Sequence, residues 1–376
     1  MHKMTFFPLG NADCCRIDLE CGRTILVDFA ATRDPDDDDD LRCDLPELLR
    51  ADLKERKRDY YDVVAFTHLD KDHFCGSTEF FHLRHAQKYQ GDDRIKMNVM
   101  WVPAALITEK APDEDEARIL QREARHRFKE GKGIRVFSRP ERLRKWCEEN
   151  GLKLEDRLAL ITDAGKIAPE FSLAVEKVEF FVHSPFAVRQ DENTLEDRNG
   201  DSLVFQVTFE IEGVHTRALL FADSTHEVLA DIVDITKAKK NDKRLEWDIV
   251  KLPHHCSYKS IGPEKGKDKT EAVDQVAWLF EEQGASGAIC VSTSKPIPAA
   301  GSDEDEDPQP PHRQAANYHK GVTGDLNGQF LVTMEHPNTT APEPLVIEIG
   351  KDKATPKKTT RTAAIIATSR SAPRAG

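Results

Sequence analysis

Residues 61–73 read YDVVAFTHLDKDH, and this stretch decides the fold. Tyr61–Phe66 is an apolar run of strand length. It ends directly in His68, Asp70, Asp72 and His73, and after Phe74-Cys75-Gly76 the pattern turns helical. Four imidazole and carboxylate side chains on one strand-to-helix turn can converge on a point, and these are the groups that hold Zn, Mn or Fe. The competing reading is a polar turn whose aspartate caps the helix. His and Asp at this density exceed what a cap needs.

Two more strand ends repeat the pattern. Residues 218–225 read ALLFADST, where Asp223 closes an apolar run. A carboxylate there is costly unless a cation or donors surround it; the alternative is an N-cap for a helix starting near His226. Residues 249–260 read IVKLPHHCSYKS, so a third strand delivers His254 and His255. Neighbours on a strand point to opposite faces, which predicts that one of the two faces the metals.

Working outward, the opening reads as β-structure at Met4–Leu9, Cys15–Leu19 and Thr24–Asp28, punctuated by Gly10-Asn11 and Cys21-Gly22. Asp34–Asp40 is an acidic solvated loop, and Leu41–Lys57 has helical spacing. Residues 77–165 read as a helical insertion or layer, with a strand-like Met97–Val102 and helices at Glu114–Lys129 and Arg139–Asn150. The first of these carries Glu–Arg pairs at i,i+4 such as Glu123–Arg127. Strands return at 176–182, 202–211, 216–221, 247–252, 287–291, 329–334 and 345–349, with helices at 228–233 and 270–283. This alternation predicts a layered α/β architecture.

Composition bounds the class. The chain has 376 residues, 39% hydrophobic and 32% charged, enough for a substantial core. No apolar run approaches a membrane span, and the N-terminus lacks a secretory signal, so a cytoplasmic protein is expected. Eight scattered cysteines without a CxxC pair point to reduced thiols. Net charge is −13, but the last 26 residues carry seven Lys/Arg against Asp352 alone; that surplus of six leaves −19 on residues 1–350. Hence residues 1–350 read as the folded body and 351–376 as a basic, flexible tail. An acidic body argues against broad coating of nucleic acid but leaves room for a local basic groove.

The motif order resembles that of metallo-β-lactamase-fold hydrolases: a β-hairpin into ILVD, a strand into HxDxDH, a strand ending in Asp, then PHHxS. It is most similar to the hydrolase domain of ComEC-type competence proteins, in a stand-alone soluble form. Gly10-Asn11-Ala12-Asp13, Asp28, Val182-His183-Ser184-Pro185 and Asn199-Gly200-Asp201-Ser202-Leu203-Val204 extend the resemblance over residues 4–335. It implies an αββα sandwich with the site at one edge, between the sheets. It further implies two divalent ions, Zn or Mn with Mg as a further candidate: one on His68 and Asp70, one on Asp72 and His73 completed by His255 or His254, with Asp223 bridging. Asp70 stands where most relatives carry His, which makes that site harder. The third-motif His has no clear counterpart. Asn199 or Asp201 lies at its place and His183 well upstream, while Cys256 replaces a Gly, and His312 and His319 are candidates for a late His.

The expected function is a metal-dependent phosphodiesterase or nuclease. Two ions about 3.5–4 Å apart lower the pKa of a shared water and polarise the phosphoryl group. Asp70 or Asp72 orients the attacking oxygen, and Lys259 or Lys71 meets the substrate anion. Nucleic acid or a nucleotide is the expected substrate, no membrane is involved, and protein partners encoded in the same operon accompany a stand-alone form. A basic groove flanked by Arg118, Arg122, Arg125 and Arg127 would favour a polymer; a narrow pocket would favour a small ester, lactam or nucleotide. A non-catalytic metal-binding scaffold is the third reading.

Overall fold

A computed structural model of the chain describes residues 1–110, 112, 114–187 and 198–358. The first sheet starts from the antiparallel β1 (His2–Phe6), β2 (Cys15–Asp18) and β3 (Thr24–Val27). Parallel strands β4 (Tyr60–Ala65), β5 (Lys96–Pro103), β6 (Ile134–Phe137) and β7 (Ile161–Thr162) extend it on one side. The second sheet runs through β8 (Val178–Ser184), β9 (Val204–Ile211), β10 (Val214–Leu220), β11 (Trp247–Lys251), β12 (Gly284–Ser292) and β13 (Gln329–Val332). The chain then returns to the first sheet, where β14 (Leu345–Ile349) pairs with β1 and β15 (Ala354–Pro356) pairs with β14.

The sheets face each other across an aromatic core. Trp101 on β5 is fully buried, with ring centroids 5.4 Å from Phe137, 5.2 Å from Phe180 and 5.5 Å from Phe205. Helices cover both outer faces. On the first sheet lie α1 (Leu45–Glu55), the short α2 (Lys71–Phe74), α3 (Ser77–Phe80) and α4 (Ala104–Thr108), then α5 (Asp115–Glu130) and α6 (Glu141–Glu149). On the second lie α7 (His226–Ala238), α8 (Asp274–Ala277) and α9 (Arg313–Asp325). The α1 start follows from local chemistry: the Asp44 carboxylate accepts from Glu47 N at 2.9 Å, and Leu45, Leu49 and Leu53 recur on one buried face. The result is the four-layer αββα sandwich.

Two boundaries differ from the sequence reading. Residues 77–165 supply a helical layer, but also strands β5, β6 and β7, so they extend the first sheet instead of being inserted into the fold. The last two strands are four and two residues long, too short to show a period. At the other end, β15 carries the sheet past residue 350; residues 359–376, most of the basic tail, lie outside the described residues. All eight cysteines are free thiols. Among the described residues no helix is long and apolar enough to cross a membrane.

His319, on α9, is in this helical layer and not at a strand end. It is 1% exposed, its ring lies 4.9 Å from that of Phe280, and Nδ1 has no hydrogen-bond partner. Burial pushes the imidazole down to about 3. The unfolded chain therefore takes up this proton first as pH falls below 6.5, and stability present above that value is lost toward about 3. The loss is on the order of 1–2 kcal/mol by pH 5. His319→Gln is expected to shrink the drop in urea midpoint between pH 7.5 and 5; an unchanged drop would refute the assignment.

Candidate metal centre

The chemistry-bearing residues sit in loops at the C-terminal ends of strands from both sheets: Asp13 after β1, Asp28 after β3, His68–His73 after β4, Asp223 after β10, His254 and His255 after β11, and Thr293 after β12. Backbone hydrogen bonds tie these loops together, with Asp13 N donating to Asp72 O, Asp28 N to Ala65 O, Phe29 N to His73 O, and His254 N to Ala222 O, all between 2.8 and 3.1 Å. The capping alternatives fall away. Asp70 stands at the N-cap of α2 but makes no side-chain cap bond, and the N-cap of α7 is Thr225, not Asp223.

Each anchored imidazole turns the same way. His73 Nδ1 lies 2.8 Å from Asp28 Oδ2, His68 Nδ1 lies 3.1 Å from Thr67 Oγ1, and His255 Nδ1 lies 2.8 Å from the Thr293 carbonyl. Holding a ring at Nδ1 fixes its tautomer and presents Nε2 as a lone pair, the arrangement metal-binding histidines use. His73 Nε2 is 3.2 Å from Asp223 Oδ1, and His255 Nε2 is 3.0 Å from Asp72 Oδ2 and 3.9 Å from Asp223 Oδ2. His254 Nδ1 lies 3.3 Å from Asp223 Oδ2. His68 Nε2, His73 Nε2, Asp223 Oδ1 and His254 Nδ1 are all buried without a hydrogen-bond partner. Orphaned lone pairs converging on a buried carboxylate are costly in an apolar interior unless a cation meets them, so the donor set fits a divalent ion.

Both histidines of Pro253-His254-His255 reach Asp223, against the expectation that only one would. Strand alternation no longer applies, because β11 ends at Lys251 and the pair sits in a tight turn with φ of 47° and 51°. Cys256 follows at φ 65°, so three non-glycine residues in a row hold the left-handed conformation. Such strain persists only where the surroundings impose it. The Cys256 side chain is packed into the helix-side core, away from the imidazoles, and burial pushes its thiol up to about 12.

Asp13 lies behind the centre. It belongs to a group with His73, Asp223 and His255 whose ligand atoms lie within 4.8 Å of one another. It approaches the two imidazoles from their Nδ1 sides, at 3.7 and 4.0 Å, and forms a buried ion pair with Lys251. Lys251 Nζ also donates to Phe221 O at 2.8 Å. Asp13 thus braces the rings, while the Nε2 side is left to Asp72 and Asp223. Burial alone would raise the Asp223 carboxyl, but His73 and His255 hold it well below the usual carboxylate range. Burial would likewise raise Asp72, which His73 and His255 bring down.

The remaining expected residues are dispersed. Asp70 Oδ2 is 3.6 Å from His68 Nε2, but its Oδ1 is taken by Arg198. Lys259 is exposed, and its carbonyl lies 2.9 Å from His226 Nδ1. Asn199 and Asp201 lie on the segment whose Leu203 N donates to Thr67 O, beside the strand end that delivers His68. The Asn199 Oδ1 atom is buried without a partner. His183 is engaged elsewhere, its Nε2 lying 2.8 Å from Arg244 O. His312 lies beside Tyr258, and burial together with Lys265 pushes it down to about 4.

The basic groove is not formed by the arginines named for it. Arg127 is buried against Glu123, Arg125 donates to the Ile107 and Glu109 carbonyls, and Arg118 to Pro112 O and Asp115. Arg122 is exposed. Sequence reading missed the bracing Asp13–Lys251 pair and Arg198, since nothing local marks a partner 238 or 128 residues away.

No protein-family model matches this chain, and no curated protein matches it. Solved structures that resemble it include a diphosphatase of the PhnP family at TM-score 0.34 and 10% identity, covering 93% of this chain and 98% of that one. Unliganded yeast PDE1 matches at TM-score 0.41 and 8% identity over 88% and 97%. The subclass B3 metallo-β-lactamase BJP-1 of Bradyrhizobium japonicum matches at 0.29 and 12% over 65% and 75%. Scores below 0.5 at such identities say nothing of this chain's chemistry; the αββα architecture rests on its own strand order and core.

Proposed function

We propose that the chain is a metal-dependent hydrolase of phosphodiesters, with two divalent ions held by His68, Asp70, Asp72, His73, Asp223, His255 and His254. The observation that carries this reading is the set of Nδ1-anchored imidazoles: the Nε2 atoms of His68 and His73 are buried without a hydrogen-bond partner, and that of His255 faces Asp72 and Asp223. Bound there, divalent ions supply Lewis-acid charge and a water of lowered pKa. The carboxylate-rich set suits Mn or Zn, with Mg also in range.

The protein's own groups do the rest. Asp223 stays ionised between the rings, and Asp28, Thr67 and the Thr293 carbonyl keep those rings from rotating. Asp72 and Asp70, about one-third exposed at the mouth, orient the attacking oxygen. Lys259, on the exposed turn past His255, meets the substrate anion. The inward-turned arginines and the charge of −19 on residues 1–350 favour a nucleotide or short single strand over a long duplex.

The test is cleavage of labelled single-stranded DNA, duplex DNA, RNA and bis(p-nitrophenyl) phosphate with Mn, Mg or Zn, beside Asp72→Ala. Metal-dependent cutting that the variant loses is the expected result. No cleavage of any of these by protein with two ions bound would remove the phosphodiesterase reading, and no bound ion would remove the metal centre.

A further inference from the structure

The two halves of the centre are not equally prepared. Around Asp72, His73, Asp223 and His255 the donors already face one another. Around His68 and Asp70, Asp70 Oδ2 lies 3.6 Å from His68 Nε2, but the other carboxylate oxygen is already engaged by a cation. Arg198 Nη1 lies 3.0 Å from Asp70 Oδ1 and 2.7 Å from the Leu69 carbonyl, while its Nε and Nη2 grip Glu109. Glu114 stands 3.7 Å from the same Nη1. A guanidinium presents five donors in a rigid fork and can span two carboxylates at once. Here it places a fixed cation on a carboxylate that the ion beside His68 would need, and His68 Nε2 is left without a hydrogen-bond partner.

We propose that Arg198 is a positioning residue that competes with a metal ion for Asp70, so that the centre fills in two unequal steps. The inference rests on the metal-centre reading given above. The ion on Asp72, His73, Asp223 and His255 enters first, into donors already in place. The ion on His68 and Asp70 enters against the guanidinium charge held on Asp70 Oδ1, and Asp70 serves it fully only as Arg198 shifts its weight to Glu109. Surrendering a charge-assisted hydrogen bond weakens this second step by about 10- to 100-fold. Glu109 has the opposite influence, because it offers Arg198 a place to go. The weaker site is therefore set by a contest between two carboxylates for one guanidinium.

The test is calorimetric titration of metal-stripped full-length protein with Mn²⁺, with stoichiometry checked by native mass spectrometry. The wild type is expected to show a tight step and a weak step. The double variant Arg198→Met/Glu109→Gln removes both charges together, so no buried ion is stranded. It is expected to tighten the weak step by about 10- to 100-fold and leave the tight one within about twofold. Glu109→Gln alone should loosen the weak step, a direction that simple damage to the tight half would not give. Arg198→Lys, which keeps the charge without the fork, should fall between wild type and the double variant, and it serves if the double variant does not fold. Two equal steps in the wild type, or a weak step that none of these variants moves, would overturn the role of Arg198 while leaving the metal centre intact. Absence of the tight step would instead remove the metal centre, and this proposal with it.

Discussion

Asp223→Asn is expected to reduce hydrolysis by at least about a thousandfold while leaving the fold in place. The substitution keeps the shape of a side chain that is 5% exposed and removes only its charge. That charge is shared: Oδ1 faces His73 Nε2, and Oδ2 faces His254 and His255. Metal ions contribute several kcal/mol of charge stabilisation to the reactions they assist, and each 1.36 kcal/mol is tenfold in rate. A centre without its shared carboxylate should therefore lose three decades or more, together with bound metal. Rates on bis(p-nitrophenyl) phosphate and metal content by mass spectrometry read the two effects separately. A variant that keeps activity within tenfold and retains both ions would show that Asp223 is not the shared ligand.

The largest effect on stability is expected at a buried ion pair that takes no part in the centre. Glu123 and Arg127 on α5 pair with side chains 0% and 1% exposed. Glu123 also accepts from His85 N and faces His85 Nδ1, both at 3.0 Å, while Arg127 donates to the Met97 and Gly133 carbonyls. Burial would raise the Glu123 carboxyl, but His85 and Arg127 bring it down to about 2. Glu123→Gln strands the guanidinium in the interior. Breaking a buried pair in this way costs about 3–5 kcal/mol, a large share of the roughly 5–15 kcal/mol that holds an ordinary protein folded. The double replacement Glu123→Leu/Arg127→Met should recover most of the loss, because an apolar pair of similar volume needs no compensation. Urea midpoints decide the matter. A single variant costing under about 1 kcal/mol would mean that water reaches the pair.

This pair also shows where sequence reading runs out. Glu123 and Arg127 stand at i,i+4 in a charged helix, and the spacing is the same for a solvated face and a buried brace. Only the packing of α5 on β5 and β6 tells them apart. His68, Asp70, Asp72 and His73 were legible because they are contiguous and end an apolar strand, and Asp223 and His254-His255 for the same reason. The contest for Asp70 was not legible, because Arg198 lies 128 residues from it. Nor was the joint turning of His254 and His255 toward Asp223, which depends on backbone angles that no periodicity encodes. Strands β6 and β7 were missed through shortness, whereas β5 in the same layer was legible as the apolar run Met97–Val102.

The anchoring of His255 by the Thr293 carbonyl has a consequence for how the protein comes into being. The braces of the centre run from Asp13 to Thr293, 280 residues apart in the sequence. At synthesis rates of about 5–20 residues per second, a nascent chain therefore spends many seconds with His68–His73 already outside the ribosome and no partner strand to complete the cage. On the metal-centre reading proposed above, the site is complete only once Thr293 has joined the fold, so the ions present at that stage set which metal it takes.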